Sequence, residues 1–125
     1  MDVDFDYASA RKFLEEKEWK RQAALDERFE QAWNDFRRIA EMIWIKYKPR
    51  AIYQWGSLMN RRDFSEISDI DIAIEGTLSA ETLLALLGEA DAMTELPLDI
   101  VQLDKIHPAH AEGIRARGKR VYGGD

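Results

Sequence analysis

Apolar positions in the first half of the chain recur in steps of three and four: Leu25, Phe29, Trp33, Phe36, Ile39 or Ala40, Ile43 and Tyr47. That spacing gathers them into one stripe of an amphipathic helix, with Glu, Lys and Arg on the other side. No glycine or proline interrupts residues 7–48, and residues 7–20 suit a helix although their pattern is less clear. One helix over this span would be about 60 Å long at roughly 1.5 Å per residue. A compact domain of this size is shorter than that. The pattern therefore predicts either a break or a protruding arm that packs on a partner. Pro49 predicts the helix end, because proline disfavours helical geometry in the residue before it.

After Pro49 the period changes to two. Residues 51–55, AIYQW, predict a strand that Gly56 stops, and a polar loop follows. Residues 68–76, SDIDIAIEG, alternate Asp with Ile and then Ala with Ile, predicting a second strand closed by Gly76. Ser79 can cap a helix over 80–90, with Leu83, Leu84, Leu86 and Leu87 inward. Pro97 opens a third strand over 98–103. His107-Pro108 starts a short helix that Gly118 ends, and residues 120–122, RVY, can add a last strand. The expected fold is α/β (α+β): a small mixed β-sheet with helices packed on one face and a long N-terminal helical extension. Residues 1–48 are read as that extension, part of the same domain, and 49–125 as the core. The short link between the first two strands favours an antiparallel pair.

Composition narrows what such a fold can do. At 125 residues there is room for one domain with a real core. The chain has no cysteine, which rules out disulfides and thiolate metal sites. There is no apolar run of membrane-spanning length. The acidic start, MDVDFDYASARKF, lacks the basic-then-apolar pattern of a secretory signal, so a cytoplasmic location is expected. The net charge is −6, and the basic residues are scattered among acids. Extended nucleic acid, which calls for a basic stripe, is a poor ligand for this surface. A small nucleotide remains open, since divalent metals bridge acids to phosphates.

The period of two places Asp69 and Asp71 on one face of the second strand, opposite Ile70, Ile72 and Ile74. Asp99, flanked by Leu98 and Ile100, points the same way if the third strand neighbours the second. Three converging carboxylates repel, and a divalent cation relieves that repulsion. With no His or Cys among them, the oxygen donors favour Mg²⁺ or Mn²⁺. Gly56-Ser57, at the end of the first strand, can let backbone N–H groups and a hydroxyl approach phosphate. These are the parts needed for in-line phosphoryl transfer. Either half alone occurs by chance; their conjunction with a lone acid inside LPLDIVQL is specific.

Trp55-Gly56-Ser57, then Ser68-Asp69-Ile70-Asp71-Ile72, then Leu98-Asp99-Ile100-Val101 resemble the minimal nucleotidyltransferases of the DNA polymerase beta superfamily. The resemblance covers roughly residues 50–123, with IRARGKRVYG closing it. It implies that Gly56 and Ser57 hold a nucleoside triphosphate, ATP, and that Asp69, Asp71 and Asp99 hold two Mg²⁺ (or Mn²⁺) ions. It implies transfer of a nucleoside monophosphate with release of pyrophosphate. It also implies the antitoxin of a toxin–antitoxin pair, partnered with a small helical nuclease toxin of the HEPN type, which some members silence by adding AMP to a tyrosine. The loop over 58–68 is one residue longer than the family spacing, and Met59 and Arg61 stand where a small residue and a glycine are usual.

Other residues have two readings each. Arg61 and Arg62 can contact triphosphate oxygens, or be solvated loop charges beside Asp63 and Glu66. His107 and His110 have ligand-like spacing, but no acid completes a site and Pro108 points to helix initiation. Trp19, Trp33 and Trp44 read as core or interface anchors, whereas Trp55 can flank a nucleotide. Glu75 reads as a rim residue of the acidic strand, and Ser57 has no histidine to make it a nucleophile. Three functions stay open: the transferase, an antitoxin acting by stoichiometric binding, and a nucleotide-binding regulator. With no second domain to hold a small acceptor, a homo- or hetero-oligomer is expected.

Overall fold

The computed structural model describes residues 6–124. Residues 1–5 of the expected extension and residue 125 of the expected core lie outside the described residues.

The first element is α1, Tyr7–Tyr47, a single helix of 41 residues. Of the two outcomes the sequence left open, the unbroken arm is the one formed. Asp6 caps it, its carboxylate accepting from the N–H groups of Ala8 and Ser9 at 3.1 and 3.2 Å. Lys48, at φ 50°, turns the chain out through the left-handed region immediately before Pro49. The core strands are β1 (Ala51–Trp55), β2 (Ile70–Glu75), β3 (Leu98–Gln102) and β4 (Lys119–Gly123). The remaining helices are α2 (Ala80–Asp91) and α3 (Pro108–Arg117).

The strands form one mixed sheet in the order β3-β2-β1-β4. β1 pairs antiparallel with both β2 and β4, and β2 pairs parallel with β3. Strand alternation divides the apolar residues between two faces. Ile52, Ile70, Ile72 and Ile74 pack against Phe36, Ile39 and Ile43 of α1 and Leu86 of α2. Fully burying side chains of this size contributes about 2–3 kcal/mol each, which is what seats α1 on the sheet. The one-face arrangement thus holds for α1 and α2. The short α3 lies on the opposite face, where Ala111 and Ile114 meet Ala51, Tyr53 and Ala73.

Buried Asp35 of α1 joins the helix layer to the segment before β3. It accepts from Thr94 Oγ1 at 2.7 Å, Gln31 Nε2 at 2.9 Å and Arg38 Nη2 at 2.8 Å. Ser79 caps α2 as expected, accepting from the Thr82 N–H at 3.1 Å. Leu84 departs from expectation: it is 70% exposed, while Leu86 is fully buried. Two residues apart on a helix point about 200° away from each other, so both cannot face the sheet.

Candidate active site

β1 ends and antiparallel β2 begins at the same end of the sheet. There Trp55 is paired with Asp71, and Asp71 is in register with Asp99 on the parallel neighbour β3. The Ile70 N–H donates to the Pro97 carbonyl at 2.9 Å, fixing the starts of β2 and β3 side by side. Asp69 immediately precedes β2, because the observed strand starts at Ile70, two residues later than the expected span of 68–76. Asp69 and Asp71 are half-buried and Asp99 is exposed.

Gly56 follows β1 at φ 84°, a conformation that disfavours any side chain. A Cβ there would also overlap the Asp71 carboxylate. The glycine is therefore required by the acid beside it. Ser57 begins a short 3₁₀ turn, Ser57–Met59, and a second, Arg61–Asp63, follows.

The electrostatics follow from this crowding. Asp71 has its carboxyl pushed up from 3.8 to about 7, first by burial, then by the charges of Asp99 and Asp69. Such a group holds a proton near neutrality unless a cation replaces it. The donor set is all carboxylate oxygen, which suits Mg²⁺ or Mn²⁺. Among the described residues no three His, Asp or Glu side chains close into a ready cage.

Beside Gly56 a cleft of about 460 Å³ opens towards α3, lined by Trp55, Met59, His110, Ile114 and Arg117 among others. Trp55 meets His110 edge-on at 5.4 Å, and its indole Nε1 is buried with no hydrogen-bond partner among the described residues. Gly113 leaves space for Arg117 to fold back along α3, since a Cβ would lie 2.5 Å from its Nη2. Gly118 lets the end of α3 press on β1, where a Cβ would come within 2.8 Å of the Gln54 carbonyl.

The fold thus brings Gly56, Ser57, Asp69, Asp71 and Asp99 to one end of the sheet. Arg61 is directed elsewhere: it is ion-paired with Asp26 of α1 and lies 5.5 Å from the Phe29 ring. Arg62 is exposed on the same loop. His107 caps α3, its Nδ1 accepting from the Ala109 N–H at 3.0 Å. Glu75, at the far end of β2, pairs with Arg115 of α3 at 3.0 Å. Met59, His110 and Arg117 escaped sequence reasoning as cleft residues. The only local signal was the Gly113-to-Arg117 spacing of one helical turn.

A family model described as polymerase beta, nucleotidyltransferase, matches residues 37–125. The chain belongs to this nucleotidyltransferase family. No curated protein matches the sequence. Among solved structures, "Crystal structure the toxin-antitoxin MntA-HepT" superposes with a TM-score of 0.56 at 21% identity, covering 74% of this chain and 73% of that one. Another, "Crystal structure of the toxin-antitoxin with AMP-PNP", gives 0.60 at 22% identity, covering 72% and 74%. At these identities the likeness is one of fold. The nucleotidyltransferase match begins at residue 37, in the last three turns of α1, so the arm and the first packed turns lie outside the matched residues. Among the described residues no helix is long and apolar enough to cross a membrane.

Proposed function

We propose that this nucleotidyltransferase moves AMP from ATP onto a hydroxyl of a partner protein, as the antitoxin paired with a small helical toxin of the HEPN type. One observation carries the reading: Asp71 and Asp99 in register, with Asp69 alongside, beside a glycine against which the Asp71 carboxylate packs. The toxin–antitoxin and AMP-PNP titles of the similar structures support the choice of partner and nucleotide.

In this reading Gly56 and Ser57 hold the β and γ phosphates through backbone N–H groups and the hydroxyl. Asp69, Asp71 and Asp99 hold two divalent ions, Mg²⁺ or Mn²⁺, which supply charge neutralisation for the phosphates and the leaving group. Asp99, exposed on its strand, accepts the proton of the acceptor hydroxyl. The acceptor oxygen bonds to the α phosphorus, the bond from that phosphorus to the bridging oxygen breaks, and pyrophosphate departs. The acceptor comes on another chain, so activity belongs to a complex.

Incubation with labelled ATP and the partner tests this. Asp71→Ala and Asp99→Ala should each lower transfer by about a thousandfold, the scale of losing a catalytic metal ligand. Transfer at the parental rate by both variants ends the proposal. A second reading, neutralisation by stoichiometric binding, is favoured by the arm, where Phe13, Leu14 and Trp19 are 65%, 62% and 71% exposed. In that case the carboxylate variants still neutralise the toxin, and deletion of residues 1–20 abolishes neutralisation.

A further inference from the structure

The loop over residues 57–68 carries Ser57 at one end and leads into Asp69 at the other, so its shape sets the distance between phosphate and metal groups. Within it, two short 3₁₀ turns and a turn from Ser65 to Ser68 supply local backbone bonds only. Its outer part is also held from outside, by α1. Arg28 Nη2 donates to the Ser68 carbonyl at 3.1 Å, next to Asp69, and the guanidinium lies 6.0 Å from the Phe64 ring. Phe64 is 3% exposed and meets Phe29 edge-on at 5.3 Å. Asp26 accepts from Arg61 Nε at 2.9 Å, and Arg21 Nη1 reaches Glu66 at 3.2 Å. These α1 groups all come from residues 21–29, two to three turns of one helix before the family match begins, and they add to the anchor of fully buried Leu58 in the core.

We propose that Asp26, Arg28 and Phe29 are positioning residues that clamp this loop, so that Ser57 and Asp69 are set in place around Asp71. The exposed Arg21–Glu66 pair contributes little by itself. The weight falls on the half-buried Arg28 and the Phe29–Phe64 contact, where water does not compete. The pairing with Asp26 also gives Arg61 its role: it anchors the loop to α1. Its link to nucleotide binding rests on the proposed function, whereas the clamping itself does not.

Two measurements on the full chain keep these apart: amide hydrogen exchange of residues 57–69, and Mg²⁺–ATP binding by calorimetry. Arg28→Met, which keeps the apolar stem, should speed exchange of the loop amides about tenfold while β1 and β4 stay protected. It should weaken Mg²⁺–ATP binding about tenfold, and Arg28→Lys, which keeps a donor, should recover most of both. Asp26→Arg and Arg61→Asp should each loosen the loop, and the double variant should restore it. Loop exchange unchanged in Arg28→Met, or a double variant as loose as its single parents, overturns the clamp. A parent protein that binds no Mg²⁺–ATP overturns the nucleotide reading, whatever the exchange pattern.

Discussion

One helix lives two different lives. From Leu25 to Tyr47, α1 lays Leu25, Ala32, Phe36, Ile39, Ala40 and Ile43 onto the sheet and buries them. From Tyr7 to Ala24 the same helix carries Phe13, Leu14 and Trp19 largely into solvent. The backbone does not distinguish the halves, since neither contains glycine or proline. A free segment as short as the arm would be marginal as a helix in water, because the first turn is costly to nucleate. The packed half supplies that nucleus, and the arm only propagates it. Helix formation is thus inherited along the chain, whereas membership of the core is decided by what lies opposite.

The largest effect that would test this contrast is a cavity in the packed half. Ile43→Ala should destabilise by about 3 kcal/mol, read from denaturant unfolding, because Ile43 is fully buried between helix and sheet. A loss below 1 kcal/mol would mean that α1 is not seated as described.

A smaller effect comes from the acidic end of the sheet. The folded state holds the Asp71 proton up to about pH 7, against an ordinary value of 3.8. Folded protein therefore binds more protons than unfolded chain between about pH 4 and 7, and the stability linked to this group falls as pH rises through that window. Asp71→Asn should stabilise the metal-free protein at pH 8 by about 1–2 kcal/mol, after allowance for partial solvent screening. The gain should vanish near pH 4, where both side chains are neutral. Thermal melts at the two pH values decide it, and equal gains at both would refute the electrostatic cause.

The smallest effect belongs to the arm. Leu14→Ala and Trp19→Ala should change stability by less than about 0.5 kcal/mol, as surface substitutions do. Their consequence should appear in a pull-down with the proposed toxin partner. A stability loss comparable to that of Ile43→Ala would place the arm in a core, and the contrast between the halves would disappear.

Much of the molecule was readable before folding. The i, i+3, i+4 spacing from Leu25 to Tyr47 gave the buried stripe of α1, and Ser79 and His107-Pro108 marked helix starts that the structure keeps. The Asp69–Asp71 alternation and the lone Asp99 pointed to one end of the sheet because strand periodicity fixes which side a residue takes. Leu84 was misjudged because four leucines within five residues cannot share one helical face. Arg61 is adjacent to the candidate site in sequence, yet its side chain goes to Asp26, a partner no local pattern names.

What the chain determined alone was the set of elements, their periods and the residue types capable of holding phosphate and metal, because each depends on neighbours a few positions away. Tertiary structure decided the β2–β3 register that sets Asp99 beside Asp71, the side of the sheet given to α3, and the grip of residues 21–29 on a loop some 35 to 45 positions later. Those depend on which surfaces meet once loop closure is complete, and chain spacing carries no record of that.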